Sequence, residues 1–160
     1  MVRILAATDF SEDSRPVLDY AARLVQKSGG KMYLIHAVEP CVIDAAGSLS
    51  ASDIPVGIPG PDMPAYGVGC EVLAIADARA KKLAEEISKE WNIPIYGKAE
   101  EADDIVECIQ GFCDRHKIDT LVVGNRHHSF LTTLLLGNTA EKLMRNAKIP
   151  VTVVPCANIK

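Results

Sequence analysis

The residues best placed to do chemistry lie in the run Leu121-Val-Val-Gly124-Asn-Arg-His-His-Ser-Phe-Leu-Thr-Thr-Leu-Leu-Leu-Gly137-Asn138-Thr139, which passes through a helical pattern to Ile149-Pro-Val-Thr-Val-Val-Pro155. It reads as strand, glycine turn, loop, second glycine, helix and strand. Unpaired N–H groups at a helix start attract anions, and glycine lets a backbone approach a ligand closely, so this layout suits a loop that cradles phosphate. Between the glycines stand Arg126, His127 and His128, whose charge and N–H groups could bind phosphate, although a solvated polar loop is the favoured reading. Adjacent histidines rarely converge on one metal ion, so a metal role for this pair is the weaker reading. Enzyme templates fit poorly: the chain has no GxxxxGKS or GxxxxGKT phosphate loop, no GxSxG elbow and no HExxH helix. No lysine is placed to reach a γ-phosphate from either glycine, and no base stands beside a nucleophile. The expectation is binding without efficient turnover.

The elements that must position these residues follow from hydrophobic periodicity. Val2 to Thr8 is a short apolar run ending in Asp9-Phe10-Ser11-Glu12, a turn rich in helix-capping types. A helix from about Ser14 to Ser28 follows, with Val17, Ala21, Leu24 and Val25 on one face and Gly29-Gly30 as its stop. Lys31 to Val38 is a second buried strand, on which His36 is expected to be a satisfied core histidine. Helices are predicted at about 69–90, 102–116 and 138–146, and strands at 93–96, 118–123 and 151–154. Five strands alternating with four helices imply an α/β fold, a parallel doubly wound sheet with helices on both faces. Ligands of such sheets sit beyond the strand C-terminal ends where strand order reverses, which is where Asp9, Ala37 and Gly124 fall.

With 160 residues, 48% hydrophobic and 24% charged, the chain suits a single domain over 1–160. A net charge of -4 and the lack of any Lys/Arg run argue against a nucleic-acid partner. The absence of a long apolar span and of a leader pattern argues for a cytoplasmic protein without a membrane partner. Residues from about 39 to 69 hold five prolines and five glycines, which marks a long loop that is either disordered or a lid or partner surface. The five cysteines, Cys41, Cys70, Cys108, Cys113 and Cys156, have no CxxC spacing and read mostly as reduced thiols. Cys41 and Cys70 bracket the loop and could meet in space.

Over nearly its full length the chain resembles the universal stress protein family. The likeness rests on Ile4-Leu-Ala-Ala-Thr-Asp9-Phe-Ser-Glu, on Leu34-Ile-His-Ala37, on Leu135-Leu-Gly137 through Glu141-Lys-Leu, and on Ile149-Pro-Val-Thr-Val-Val, in that order. It implies a Rossmann-like, adenine nucleotide alpha hydrolase-like fold. It also implies binding of ATP or another adenine nucleotide, with or without Mg²⁺. Nucleotide-binding members carry Gly, two residues, Gly, nine residues, then Gly and Ser or Thr. Here Gly124 and Gly137 match, while His127 replaces the second glycine and Asn138 the hydroxyl residue. Ala99, expected in the turn before the third helix, stands where many members place glycine. By the resemblance, Asp9 would meet the adenine or ribose, Ala37 would lie against the base with Thr8 beside it, and Gly124, Gly137, Asn138 and Thr139 would hold phosphates. Asp9 could equally cap the first helix.

Two functions therefore stand side by side. One is a cytoplasmic stress-response module that binds an adenine nucleotide and signals through conformation or assembly. The alternative is a member that does not bind ATP, because His127 fills volume and, at a positive φ, costs on the order of 1 kcal/mol. Such a member would work as a dimerising interaction module. Metal- or redox-responsiveness through the cysteines and His127-His128 is a third, weaker reading. Val151-Thr-Val-Val154, short, apolar and followed by Pro155, reads as an edge strand. Its pairing through Val151 and Val153 with a second copy would close that edge, and the resemblance also implies a homodimer.

Overall fold

The computed structural model describes residues 1–40, 68–125 and 138–156. Its strands are β1 (Arg3–Ala7), β2 (Lys31–Val38), β3 (Ile95–Glu101), β4 (Thr120–Asn125) and β5 (Val151–Pro155). All pair in parallel, in the order β3-β2-β1-β4-β5. The helices are α1 (Arg15–Ser28), α2 (Val68–Trp91), α3 (Ile105–His116) and α4 (Asn138–Asn146), and a single 3-10 turn, Glu12–Ser14, leads into α1. This is the five-stranded parallel α/β sheet that the periodicity predicts.

Because both faces are covered, the central strands are apolar throughout rather than alternating. Ile4, Ala6, Met32 and Leu34 pack against Val17, Ala21 and Val25 of α1 and Ala80 and Ile87 of α2. On the other face Leu5, Ile35, Leu121 and Val123 meet Ile109 and Phe112 of α3 and Leu143 of α4. The chain stops α1 at Gly29, whose φ of 69° is a left-handed conformation open to glycine, and whose N–H donates to the Val25 carbonyl.

The third strand differs from expectation. It begins after Pro94 and runs to Glu101, five residues past the predicted strand end at Tyr96 and up to the predicted start of the third helix. Its inward positions are the small Gly97 and Ala99, and a Cβ on Gly97 would overlap the Ala80 carbonyl of α2. Close helix-to-strand packing therefore demands residues too small to register as an apolar run. Ala99 is buried within the strand, not in a turn, and α3 starts later, at Ile105, where Asp104 Oδ1 accepts from the Val106 and Glu107 N–H groups.

The two sheet edges are treated differently. The bonds from Met32 N–H to the Pro94 carbonyl and from Ala102 N–H to the Val38 carbonyl turn the even-numbered groups of β3 toward β2. The Ala99 N–H thus points to the open side, where Asp77 Oδ1 of α2 accepts it at 3.0 Å. Lys81 at 2.7 Å and Lys98 at 3.2 Å flank that carboxylate. Burial alone would raise the Asp77 pKa, but Lys81, the Ala99 amide and Lys98 outweigh it and bring it to about 2. At β5, donation from Leu121 N–H to the Pro150 carbonyl and from Cys156 N–H to the Asn125 carbonyl leaves Val151 and Val153 with backbone groups on the outer side. Among the described residues no helix is long and apolar enough to cross a membrane.

Candidate functional site

Where the strand order reverses, β1 and β4 send the chain to opposite faces, and a crevice must open beyond their C-terminal ends. It has a volume of about 310 Å³. Thr8 and Asp9 from the turn after β1, Ala37 at the end of β2, and Gly124 at the end of β4 line it. Thr139 and Leu143 of α4 and Ile105 and Ile109 of α3 form the wall above. The site is thus mostly apolar with a few convergent polar groups, the usual make-up of a small-molecule site.

Five of the residues singled out in the sequence, Thr8, Asp9, Ala37, Gly124 and Thr139, are brought to this one crevice. Asn138 is the first residue of α4. Arg126, His127 and Gly137 lie outside the described residues, as does His128, so the segment between β4 and α4 is known by its two ends. Gly124 is part of β4 rather than of a turn. Its role is one of space: a Cβ there would come to 2.6 Å from Cys156 Sγ and 3.1 Å from Val17 Cγ2.

The turn after β1 is held from several directions. Thr8 is buried; its N–H donates to the Ile35 carbonyl and its Oγ1 accepts from Phe10 N–H, each at 3.0 Å. Phe10 takes a φ of 61°, unusual for a bulky residue. Its ring lies 4.2 Å from the His36 ring, and the Arg79 guanidinium sits 4.8 Å over it while donating to the Phe10 carbonyl at 3.2 Å. His36 Nδ1 lies 2.8 Å from the Thr8 carbonyl, which can only accept, so the hydrogen is on Nδ1. His36 is therefore satisfied, as expected, yet half-buried at the crevice rather than in the core. Its pKa is lowered chiefly by burial; the Thr8 carbonyl and Asp9 oppose this and Arg79 adds to it.

Asp9 Oδ1 accepts from Ser11 N–H at 3.0 Å, from Ser11 Oγ at 2.6 Å and from Ser14 Oγ at 2.6 Å. The bond to Ser11 N–H makes an Asx turn just ahead of the 3-10 turn, whose N-cap is Ser11, while the N-cap of α1 is Ser14. Sequence reasoning passed over Ser11, Ser14, His36 and Cys156 as crevice residues. The serines read as generic helix-start types, and Cys156 lies beyond a strand whose register places its thiol beside Gly124.

Cys108 and Cys113 are not poised for redox chemistry. Cys108, Cys113 and Cys156 form no disulfide. Burial pushes the Cys113 pKa up to about 11 and raises that of Cys108, where Glu100 adds to the effect, so both stay protonated near neutrality. Cys41 and the Cys70 side chain lie outside the described residues. Among the described residues no group of three or more His, Cys, Asp or Glu side chains could hold a metal.

The chain is similar in sequence and fold to proteins already known. A universal stress protein of Methanocaldococcus jannaschii is 26% identical over 155 residues, covering 95% of this chain and 81% of that one. The sheet and its helices superpose on a universal stress protein solved in complex with cAMP, at a TM-score of 0.63 with 20% identity and 98% of both chains covered. The Archaeoglobus fulgidus universal stress protein, solved in complex with dAMP, gives 0.55 with 18% identity over 96% of this chain and 97% of that one. The model of the universal stress protein family matches residues 1–56 and 60–155, which takes in every strand and helix described above. With the parallel order β3-β2-β1-β4-β5 and the crevice at its reversal, this full-length match means that the chain belongs to the universal stress protein family.

Proposed function

We propose that the crevice binds an adenine nucleotide, ATP or a relative of it, with or without Mg²⁺, and that the protein acts in a stress response through conformation or assembly. The observation that carries this reading is the meeting of Asp9, Ala37, Gly124 and the start of α4 around one crevice of about 310 Å³. An apolar floor and wall suit a purine, the Asp9 carboxylate suits a ribose hydroxyl or base amine, and helix N–H groups suit phosphate. The family relatives solved with cAMP and dAMP lend support. Thr8 flanks the base side, while Thr139, Asn138, Gly137, His127 and Arg126 belong to the phosphate side. Because the sequence carries none of the common catalytic motifs, turnover is expected to be at trace level.

Calorimetric titration of ATP and AMP into wild type, Asp9→Ala and His127→Gly tests the reading. Micromolar binding by wild type, weakened about tenfold in Asp9→Ala, is the expected result. One observation favours a second reading: His127 and Asn138 occupy two of the family's phosphate-loop positions. No binding by wild type, restored in His127→Gly, would assign the protein to contacts with other proteins instead.

A further inference from the structure

His36 has two ring nitrogens, and the fold commits one of them. Nδ1 carries the hydrogen donated to the Thr8 carbonyl at 2.8 Å, so in the neutral ring Nε2 is a hydrogen-bond acceptor. Burial lowers the His36 pKa, which keeps that lone pair available near neutral pH. Among the described residues the side chain makes no hydrogen bond besides the one to Thr8. Nor is Nε2 sealed in, since the buried side-chain nitrogens and oxygens left without a partner there are Trp91 Nε1 and Gln110 Nε2. His36 lines the crevice and does not line the neighbouring cavity formed by Phe10, Arg15, Arg79 and Glu86, which makes the crevice the opening that reaches it.

The ring is held in one orientation. The Phe10 ring backs it at 4.2 Å, and the Arg79 guanidinium lies 4.8 Å over Phe10 in turn. An acceptor set in advance loses little entropy when a donor docks on it. An ionised phosphate has no donor to give, so the groups of a nucleotide that match Nε2 are a base amine and the ribose hydroxyls. His36 stands on β2 beside Ala37, whereas Gly124 of β4 lies across β1. A nucleotide whose phosphates reach the start of α4 therefore sets its base toward β2. We infer that His36 is a specificity-determining residue of the crevice: its Nε2 accepts from the exocyclic amine of adenine and selects that base over one with a carbonyl oxygen in the same place. Such an oxygen would oppose the Nε2 lone pair with no hydrogen between them. The inference rests on the proposal that the crevice binds an adenine nucleotide.

The test is calorimetry of AMP and ATP beside their inosine counterparts, which carry a carbonyl oxygen where adenine has its amine, with wild type and His36→Asn. Asn retains an N–H for the Thr8 carbonyl and removes the Nε2 acceptor; thermal melting checks that the variant is folded. Wild type is expected to bind the adenine nucleotides about tenfold more tightly than the inosine ones. In His36→Asn the adenine nucleotides should weaken about tenfold and the inosine ones stay unchanged, so that the preference vanishes. Equal weakening of both kinds would reflect a disturbed turn or a contact with the ribose they share, and that result overturns the inference. So does a preference for adenine that survives in the folded variant. Should His36→Asn not fold, wild type alone still decides against the inference if it binds both kinds equally, a result that leaves the nucleotide reading standing. Absence of binding by all four in wild type overturns the nucleotide reading itself, and this inference with it.

Discussion

Gly124 shows how little a single position in this crevice can change. Its missing Cβ leaves room for Cys156 Sγ, at 2.6 Å from where that atom would be, and for Val17 Cγ2 at 3.1 Å. Gly124→Ala is expected to destabilise the protein by about 1–3 kcal/mol through overpacking. Adding Cys156→Ala should return part of that, since it removes the nearer obstacle; a thermal melt in which the second change gives no recovery would place the strain elsewhere. His36 gives a second prediction at this scale. With its folded pKa lowered mainly by burial, the ring stays neutral in the native chain while the unfolded chain takes up a proton below about pH 6.5. The stability it contributes is therefore complete above that pH and declines as the pH falls toward the folded value. Urea unfolding at stepped pH should show a flatter acid-side decline in His36→Gln than in wild type, and equal slopes would mean the ring does not carry the effect.

At the scale of elements, β3 is the instructive case. Its inner residues Gly97 and Ala99 are small because α2 lies close, and its open side is pinned by the bond from the Ala99 amide to Asp77. Asp77→Ala is expected to lower stability by about 1–2 kcal/mol at pH 7 and to speed hydrogen exchange at Ala99. A carboxylate whose pKa is brought to about 2 contributes fully above its ordinary value and loses that contribution as the pH drops. The gap between wild type and variant should thus narrow from about pH 4 downward. The sequence predicted an edge-proximal strand here and foresaw neither its length nor its pin. Apolar runs are visible to periodicity; a strand built of Tyr96, Gly97, Lys98 and Ala99 is defined by what packs on it.

At the scale of the whole molecule, the edges bear on assembly. At β3 a carboxylate occupies an outward amide, whereas the outer side of β5 offers the amides of Val151 and Val153 and ends in Pro155, which has none. A homodimer joined along β5 is the assembly this contrast favours. Light scattering at on the order of tens of micromolar should give twice the chain mass for wild type and the single-chain mass for Val153→Pro. Val153 faces away from β4, so that proline spares the internal ladder. A wild type that scatters as a single chain would remove the β5 dimer from consideration.

By itself the sequence determined the succession of elements, because burial on both faces of a parallel sheet forces long apolar runs and because Gly29 and Pro155 mark ends through their own backbone chemistry. It also determined that Asp9, Ala37 and Gly124 fall at strand ends. Only the tertiary structure decided that these three share one crevice, since strand order is fixed by the long-range pairing of β1 with both β2 and β4. It likewise decided that Ser11 and Ser14 serve Asp9 and not a helix end. A hydroxyl has several acceptors within local reach, and which one it takes depends on where the turn is pressed by His36, Phe10 and Arg79, residues brought together from three different elements.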